Sequence, residues 1–245
     1  MTKVKGKWAL ITGSSRGVGY QIALFMAKQG CNLVLHSRCI GHTERVMQDV
    51  KDLGVKAYPV QAELSDINAV QRMLDEISEK DIHIDIVFNN AAVQIAYRHE
   101  FFKTPVEDFT QSFLINTIAP AMICYRLIPK MVEKGFGRVI NVTSGIKNEP
   151  EQAGYSSSKA ALDKFTKDLG SRLEGSNVMI NLTDPGWCRT DLGGPHAPNS
   201  VESCIPGVCL GAFLDDNKSG RILHAQDFSG MTLEEAVKKA SMMEG

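Results

Sequence analysis

The sequence predicts an α/β fold built on a doubly wound parallel sheet, and two observations lead to this prediction. Short apolar runs alternate with amphipathic segments along the 245 residues, which is the pattern of parallel strands covered by helices on both faces. A glycine-rich turn at residues 12–19 joins the first apolar run to the first amphipathic segment. Together these features indicate a Rossmann-type sheet of about seven strands.

Strands are expected where the apolar residues are nearly continuous. The first is Trp8-Ala9-Leu10-Ile11, which leads into the glycine-rich turn. The others are expected at 32–35, 55–60, 84–88, 138–142, 177–182 and 221–224. Because doubly wound sheets place ligands beyond the carboxyl ends of their strands, the residues that follow these runs are the candidate site residues.

Helices are expected between the strands. The first follows the glycine-rich turn and places Val18, Ile22, Phe25 and Met26 on one face. The others are expected at 42–53, at 66–79, from 104 to about 133, from 155 to about 173 and after Thr232. Two of their N-termini resemble capping boxes, Thr104-Pro105-Val106-Glu107 and Thr232-x-x-Glu235.

Composition indicates a single domain covering residues 1–245. No linker, charge block, repeat or low-complexity run divides the chain. The net charge is −1 and the basic residues are scattered, which argues against a nucleic-acid partner.

The six cysteines predict reduced thiols in a cytoplasmic protein, several of them filling the core. They form neither a Cys-x-x-Cys pair nor a His/Cys zinc spacing, so no metal site is expected. The N-terminus lacks a signal-peptide core, and no run approaches the roughly 20 apolar residues of a membrane span. We therefore expect no membrane partner.

The glycine-rich turn predicts a dinucleotide site. Gly13, Gly17 and Gly19 lie between the first strand and the first helix, where small residues let the backbone approach a pyrophosphate at the helix N-terminus. The spacing is Gly-x-x-x-Gly-x-Gly rather than the commoner Gly-x-Gly-x-x-Gly. A tight turn without a ligand is the alternative, whereas a P-loop is disfavoured because no Gly-Lys-Ser/Thr follows.

Two arginines favour NADP(H) over NAD(H), although NAD(H) remains possible. The second strand ends in His36-Ser37-Arg38 and carries no carboxylate for a ribose 2′-hydroxyl. Arg38 and Arg16 can instead pair with a 2′-phosphate, because the guanidinium fork matches phosphate oxygens. The alternative is that both arginines are solvated surface residues.

A tyrosine and a lysine one helical turn apart form the candidate catalytic pair. Tyr155 and Lys159 share a helix face because residues four apart are neighbours there. The ammonium can stabilise a phenolate, which makes the tyrosine a usable acid near neutral pH. Such pairs also occur by chance on surfaces, so the pair gains its meaning from the glycine-rich turn.

These motifs together resemble the short-chain dehydrogenase/reductase family, in its compact, single-domain branch. The resemblance rests on Thr12-Gly13-x-x-x-Gly17-x-Gly19, Asn89-Asn90-Ala91, Asn116, Ser144, Tyr155-x-x-x-Lys159 and Pro185-Gly186-x-x-x-Thr190, which follow the family order over roughly residues 5 to 225. The run from Pro185 to Leu192, followed by Gly193-Gly194-Pro195, is similar to that of carbonyl-reductase-like members. The chain departs from the family pattern at Ala92, where a glycine is usual, and at Glu63, where an aspartate that contacts the adenine is common.

The resemblance implies the roles of the catalytic residues. Tyr155 donates a proton to a carbonyl oxygen while the nicotinamide delivers hydride, and Lys159 lowers the pKa of Tyr155 and holds the nicotinamide ribose. Ser144 hydrogen bonds the substrate oxygen. Asn116 bends its helix and holds a water that leads to Lys159.

The resemblance also implies the cofactor contacts. Pro185 and Gly186 form the wall against the nicotinamide, and Thr190 lies near its carboxamide. The full expected set is Gly13, Ser15, Arg16, Gly17, Val18, Gly19, Ser37, Arg38, Glu63, Leu64, Asn90, Ala91, Tyr155, Lys159, Pro185, Gly186, Trp187 and Thr190.

The substrate side is expected to include a mobile lid. Residues 191–205 are rich in Gly, Pro and Ser, and we place the outer limit of this lid at residue 214. Side chains that could line the pocket, or equally be packing or solvated loop residues, are Tyr97, Glu151, Gln152, Trp187 and His196.

Several functions stay open. The leading one is an NADPH-dependent reductase of ketones or aldehydes acting on a small molecule, with 3-oxoacyl thioesters and hydroxysteroids as alternative substrates. A non-catalytic NADP(H)-binding regulator is the alternative of another class. A sugar-nucleotide epimerase is disfavoured because the chain has no room for a second substrate-binding region. The resemblance further implies a homodimer or homotetramer formed through the helices at 105–134 and 155–174.

Overall fold

The computed structural model describes residues 1–243, and it confirms the predicted fold class. All strands of the sheet are parallel, in the order β3-β2-β1-β4-β5-β6-β7. The strands are β1 (Trp8–Ile11), β2 (Asn32–Ser37), β3 (Ala57–Gln61), β4 (Ile86–Asn89), β5 (Gly137–Val142), β6 (Val178–Asp184) and β7 (Ile222–His224). The first strand matches its predicted bounds, and the ends of the others differ from prediction by at most two residues.

Helices connect the strands as the amphipathic segments predict. They are α1 (Gly17–Lys28), α2 (Glu44–Asp52), α3 (Ile67–Glu79), α4 (Val106–Phe113), α5 (Ala119–Lys134), α6 (Ala153–Gly170) and α7 (Leu233–Ser241). A single π-helical turn, Leu114–Ile118, joins α4 to α5, so the two form one continuous helical region. Short 3-10 turns occupy much of the remaining chain, including Ile40–Thr43 before α2 and Gly207–Ala212 before β7.

Alternation along the strands explains why helices cover both faces of the sheet. Ala9 and Ile11 belong to an apolar layer that includes residues of α1, α2 and α7. Leu10, between them, belongs to a second layer that includes residues of α3 and α5. Successive side chains of a strand point to opposite faces, so a continuously apolar strand supplies two cores.

The two predicted capping boxes have different outcomes. At the start of α7 the Thr232 hydroxyl accepts from the backbone N–H of Glu235, whose carboxylate accepts from the backbone N–H of Thr232. The box predicted at Thr104 is wrong, because its hydroxyl donates to the carbonyl of Phe101 and α4 begins after Pro105 without a side-chain cap. The 3-10 turn that precedes this helix competes for the threonine hydroxyl.

One helical region is more apolar than the sequence analysis suggested. By length and composition, Val106–Lys134 is sufficient to cross a membrane, with a mean hydropathy of 1.2 over an 18-residue window, so the prediction that no such stretch exists is wrong. In that region 44% of the most apolar window is buried inside the protein. The side chains of Ile123, Cys124 and Leu127 pack in the second apolar layer, so the region has the contacts of a core helix.

Most of the cysteines lie in the core, as predicted. All six cysteines, which lie within residues 1–243, are free thiols, and all except Cys39 are buried. Over the same residues no group of three or more His, Cys, Asp and Glu side chains is arranged to hold a metal ion.

Candidate active site

A cleft of about 580 Å³ opens beyond the carboxyl ends of the strands. The sheet order reverses between β1 and β4, which is where doubly wound sheets bind their ligands. The predicted site residues that line this cleft are Gly13, Ser15, Arg16, Gly17, Val18, Gly19, Ser37, Arg38, Glu63, Leu64, Asn90, Ala91, Tyr155, Lys159, Pro185 and Thr190. The topology therefore brings residues far apart in sequence to one edge of the sheet.

The glycine-rich turn has a backbone that requires glycine. Gly13 and Gly17 have φ values of 64° and 57°, in the left-handed region that L side chains rarely adopt. A Cβ on Gly19 would lie 2.1 Å from the carbonyl oxygen of Gly13 and 2.5 Å from Nδ2 of Asn90. The glycines thus bring the turn, the N-terminus of α1 and the end of β4 into close contact, and this leaves their backbone open to the cleft.

Thr12 joins this turn to the end of β4. Its hydroxyl accepts from the backbone N–H groups of Asn90, at 2.9 Å, and Ala91, at 3.0 Å. The side-chain amide of Asn90 donates back to the carbonyl oxygens of Thr12, at 2.9 Å, and Gly13, at 3.2 Å. These hydrogen bonds explain why the Thr12-Gly13 and Asn89-Asn90-Ala91 motifs occur together.

The rim at the end of β2 carries two exposed arginines. Arg38 follows β2 directly, and Arg16 is the N-cap residue of α1. The Arg16 guanidinium forms an exposed ion pair with Asp191, with 3.1 Å between Nη1 and Oδ2. The Glu63 carboxylate, across the rim, accepts hydrogen bonds from the backbone N–H and hydroxyl of Ser65.

The tyrosine and lysine lie on α6, and both are almost fully buried. Tyr155 is 7% exposed and Lys159 is 3% exposed, and the Lys159 ammonium lies 6.0 Å from the centroid of the Tyr155 ring. The Lys159 Nζ donates a hydrogen bond of 2.7 Å to the carbonyl oxygen of Val142. The end of β5 therefore orients the lysine beside the phenol.

Burial dominates the titration of both groups, so the lowered pKa that was predicted for Tyr155 beside Lys159 is not found in this structure. Desolvation raises the pKa of Tyr155 above its usual value of 10.0, a hydrogen bond from Ser144 lowers it, and the charge of Asp184 raises it. Desolvation lowers the pKa of Lys159 from 10.5 to about 8, against the opposing charges of Asp163 and Asp184. The phenol is thus protonated, and the amine mostly charged, near neutral pH.

Ser144 and Asn116 do not line the cleft, although both are close to the catalytic pair. Ser144 follows β5 and acts on the phenol as described above. Asn116 is fully buried in the π-helical turn, where its amide accepts from the backbone N–H of Val93 at 2.9 Å and donates to the carbonyl of Val93 at 2.9 Å. The same amide donates to the hydroxyl of Ser158 at 3.0 Å, so it holds the loop after β4 against α6.

The Pro185-Gly186 motif separates into residues inside and outside the cleft. Pro185 and Thr190 line it, and a Cβ on Gly17 would lie 3.3 Å from Cγ2 of Thr190. Gly186 does not line it, and its backbone N–H donates to Oδ1 of Asp184 at 2.9 Å. Trp187 also lies outside, 61% exposed, where its indole N–H donates to the carbonyl of Gly193 at 2.7 Å.

The residues expected on the substrate side lie away from the cleft. Tyr97 is exposed, with its hydroxyl 3.4 Å from the Glu149 carboxylate, and His196 is exposed on the loop after β6. Gln152 is buried and donates to the carbonyl of Ile95 at 3.1 Å. The backbone carbonyl of Glu151 accepts from the N–H of Arg98 at 3.0 Å. None of these four side chains, which all lie within residues 1–243, lines the cleft.

The predicted lid is shorter than its outer limit at residue 214. Residues 207–212 form a fully buried 3-10 turn, and Phe213 and Leu214 are buried beside it in the first apolar layer. Packed core residues cannot act as a mobile cover, so the proposed lid narrows to 191–205. Mobility of that shorter segment stays a prediction.

Sequence reasoning missed several residues of the cleft. Those that line it without having been predicted are His36, His42, Ala92, Val93, Gln94, Ile95, Gln111, Ile115, Val142, Thr143, Asp191 and Leu192. Most lie in loops or on α4, where no periodic pattern marks them. His36 is the exception, because it stands inside the predicted strand end His36-Ser37-Arg38 and could have been found there.

Comparison with known proteins agrees with this geometry. The family model for short chain dehydrogenase matches residues 7–200. The chain belongs to the short-chain dehydrogenase family. A curated relative, the 3-oxoacyl-[acyl-carrier-protein] reductase FabG of Aquifex aeolicus, is 30% identical over 214 residues, which are 86% of each chain.

Two further short-chain dehydrogenases illustrate the range of the family. Versicolorin reductase 1 of Dothistroma septosporum is 31% identical over 194 residues, covering 78% of this chain and 72% of the relative. The crystal structure of a metagenomic short-chain oxidoreductase in complex with NADP is 25% identical, with a TM-score of 0.69 over 76% of this chain and 84% of the other.

Proposed function

We propose that this protein is an NADP(H)-dependent oxidoreductase that reduces a ketone or aldehyde to an alcohol, reversibly. The observation that carries the proposal is one continuous cleft, with the glycine-rich turn at one end and Tyr155 and Lys159 in its wall. A dinucleotide spans the distance between a phosphate-binding turn and a reacting centre.

The residues present fit a dinucleotide. The backbone of Gly13 and Gly17 adopts positive φ values, and Gly19 has no room for a Cβ. The turn therefore requires glycine at these three positions. Such a turn at a helix N-terminus provides free N–H groups for a pyrophosphate. Asn90, Ala91, Pro185 and Thr190 continue the same cleft. The bound dinucleotide would supply the hydride.

The chain itself contributes proton transfer and charge. Tyr155 donates its phenolic proton to the carbonyl oxygen that gains negative charge, and its raised pKa keeps that proton available at neutral pH. Lys159 stabilises the resulting phenolate by its charge. Ser144 donates a hydrogen bond to the substrate oxygen, where the negative charge develops. The raised pKa of Tyr155 belongs to the free protein, and a positive charge in the cleft would lower it.

The rim favours a 2′-phosphate. Arg38, directly after β2, and Arg16, at the N-cap of α1, are both exposed and line the cleft, and β2 ends without a carboxylate to hold a ribose 2′-hydroxyl. Guanidinium groups bind phosphate oxygens in a bidentate manner. The similar metagenomic oxidoreductase is a complex with NADP, which supports the same choice. Use of NAD(H) as a second cofactor is compatible with an exposed, adaptable rim.

The substrate class rests on the relatives rather than on the pocket. The similarity to a 3-oxoacyl-[acyl-carrier-protein] reductase supports 3-oxoacyl thioesters, and the similarity to a versicolorin reductase supports polycyclic ketones. Small carbonyl compounds and hydroxysteroids complete the set of candidates. All of them present a carbonyl to the same phenol.

A non-catalytic NADP(H)-binding regulator is the alternative. It would keep the fold and the glycine-rich turn without turnover. The intact set of Ser144, Tyr155 and Lys159 argues against this alternative, because binding alone does not require an acid beside the amine. Absence of turnover on a broad carbonyl panel, with tight NADPH binding retained, would favour the regulator.

The test is turnover of Tyr155→Phe. Wild-type protein is assayed by NADPH absorbance against small ketones, aldehydes, steroids and 3-oxoacyl thioesters, in parallel with NADH. We expect Tyr155→Phe to lower kcat by about 10²–10⁴-fold, the usual contribution of a general acid, while NADPH binding is retained. Tyr125→Phe, at an exposed tyrosine of α5, is the control and should keep wild-type turnover. Near-native turnover of the Tyr155 variant would overturn the assignment.

A further inference from the structure

His36 is a buried histidine at the adenosine end of the cleft that the proposed chemistry does not use. It is 1% exposed, lies one residue before the end of β2 and lines the cleft. A buried histidine needs partners for both ring nitrogens. The hydrogen-bond partners of the two ring nitrogens therefore indicate the role of His36.

Both ring nitrogens of His36 bond to backbone groups. Nδ1 accepts from the backbone N–H of Gly13 at 3.1 Å, and Nε2 lies 3.0 Å from the carbonyl oxygen of Ala62. A backbone N–H can only donate and a carbonyl can only accept, so the ring is neutral with its proton on Nε2. The structure therefore selects one tautomer of one charge state.

The backbone of His36 bonds to the same turn as its ring. Its carbonyl oxygen accepts from the backbone N–H of Ser14 at 3.0 Å and from the Ser14 hydroxyl at 3.2 Å. Two successive residues of the glycine-rich turn, Gly13 and Ser14, are thus held by one residue of β2. Glycine adopts positive and negative φ values about equally well, and Gly13 has a positive φ. Without the hydrogen bonds with His36, the turn could therefore adopt other conformations.

On the far side, the imidazole reaches the loop after β3. Ala62 precedes Glu63 and Leu64, which also line the cleft. The ring is the bridge between the turn expected to hold the pyrophosphate and the loop expected to flank the adenine. We propose that His36 is a positioning residue that sets the distance between these two walls for dinucleotide binding, an inference that rests on the proposed function.

Burial and the two backbone partners maintain the neutral ring. Burial lowers the pKa of His36 from 6.5 to about 4, and the carboxylate of Glu63 opposes this shift. A second proton on Nδ1 would point at the N–H of Gly13, which is itself a donor, and would break that contact. With both nitrogens occupied by backbone groups, the ring is not available as a proton donor or acceptor toward a substrate.

The experiment compares two substitutions of His36 in the full chain, with dissociation constants for NADPH measured by fluorescence titration. His36→Leu removes both ring hydrogen bonds, and we expect NADPH affinity to fall by about tenfold or more, because binding must then order two walls that nothing joins. His36→Gln can accept from Gly13 and donate to Ala62, so it should stay within about threefold of wild type. In turnover assays the Leu variant should raise KM for NADPH and keep kcat.

Leu33→Ala is the matched control. Leu33 is buried in the same strand, in the first apolar layer, and does not line the cleft. It should lower the melting temperature while leaving the NADPH dissociation constant unchanged. His36→Asn, whose shorter amide reaches one partner at most, gives the same comparison if the Leu variant does not fold.

Each contrary outcome has a distinct meaning. Wild-type affinity in His36→Leu overturns the inference, and so does a Gln variant that binds as weakly as the Leu variant. An equal loss of affinity in Leu33→Ala would overturn it too, because it would trace the effect to general destabilisation. If wild-type protein does not bind NADPH at all, the proposed function fails and takes this inference with it.

Discussion

The catalytic pair shows how burial assigns complementary protonation states to neighbouring groups. Desolvation disfavours the charged form of each, so it raises the pKa of Tyr155 and lowers that of Lys159 to about 8. The acid thereby keeps its proton, and the amine stays charged below about pH 8. The two carboxylates of Asp163 and Asp184 limit the loss of charge on the amine.

The reductive reaction should therefore lose rate above about pH 8. Below that value Lys159 carries its charge, and above it the amine becomes neutral and no longer stabilises the phenolate. We expect kcat/KM for carbonyl reduction with NADPH to be flat from pH 6 to about 8 and then to decline about tenfold per pH unit. Lys159→Arg, which keeps its charge at all accessible pH values, should lack this decline. A flat wild-type profile up to pH 9.5 would contradict the assignment.

At the residue scale the sequence predicts chemistry better than orientation. Tyr155, Lys159 and the glycines could be predicted because helix spacing and turn geometry dictate where such residues must lie. Trp187 could not be placed, because its indole N–H bonds to Gly193 through a loop conformation that no periodicity encodes. His36 stands inside a predicted strand end, but its ring contacts with Gly13 and Ala62 follow from the fold.

At the scale of elements, the glycine-rich turn depends on the hydroxyl of its first residue, Thr12. Thr12 is 2% exposed, and its oxygen accepts from two backbone N–H groups at the end of β4. It also donates to the carbonyl of Phe88 at 3.3 Å. The turn and the loop after β4 therefore behave as one unit.

Thr12→Val should remove the hydrogen bonds between the turn and the loop after β4, while the volume of the side chain stays nearly the same. The substitution leaves the N–H groups of Asn90 and Ala91 without their partner, and each unsatisfied buried group costs about 1–3 kcal/mol. We expect the free energy of unfolding, measured in urea, to fall by about 2–4 kcal/mol, with weaker NADPH binding. Thr12→Ser keeps the hydroxyl and should fall much less. Thr110→Val, at an exposed threonine of α4, is the control and should change stability little.

The sequence predicts the extent of the helices but not their local irregularities. Apolar periodicity predicts one long helix up to about residue 133, and α4 and α5 form it together. The π-helical turn between them is invisible to that periodicity, yet it positions Asn116 between Val93 and Ser158. The failed capping box at Thr104 has the same origin, because a competing 3-10 turn depends on the local fold.

At the scale of the whole molecule, the parallel topology could be predicted and the association state could not. Strand-helix alternation leaves few arrangements, and right-handed crossovers between parallel strands bring every strand's carboxyl end to one edge. Whether two copies meet depends on the surface, where no burial pattern constrains the sequence. The proposal of a dimer or tetramer accordingly rests on the family resemblance and on one exposed stripe.

That stripe consists of Ile118, Tyr125 and Val132. The three residues are exposed and spaced seven apart, so they share one side of the helical region. The ring of Tyr125 packs edge-on against Phe165 of α6, with 5.7 Å between centroids, which places both predicted interface helices at this face.

Tyr125→Arg should weaken self-association. We expect light scattering to give wild-type protein at least twice the 26.9 kDa of one chain, because a stripe of this kind is more stable when covered. A charge in the middle of the covered face is costly to bury, so the variant should have a lower mass. Phe102→Arg, at a highly exposed residue outside the stripe, should keep the wild-type mass. A monomeric wild type would remove the proposal.

The concentration of the cleft at one edge of the sheet leaves the opposite edge available for engineering. The turns before β3, β5 and β6 contain Gly54, Gly135 and Gly175, whose positive φ values favour glycine, so the exposed residues beside them are the attachment points. Reporter groups or tethers attached there would stand a full strand length from the reacting centre. An immobilised form fixed at the exposed Glu174 would therefore present its cleft to the solution.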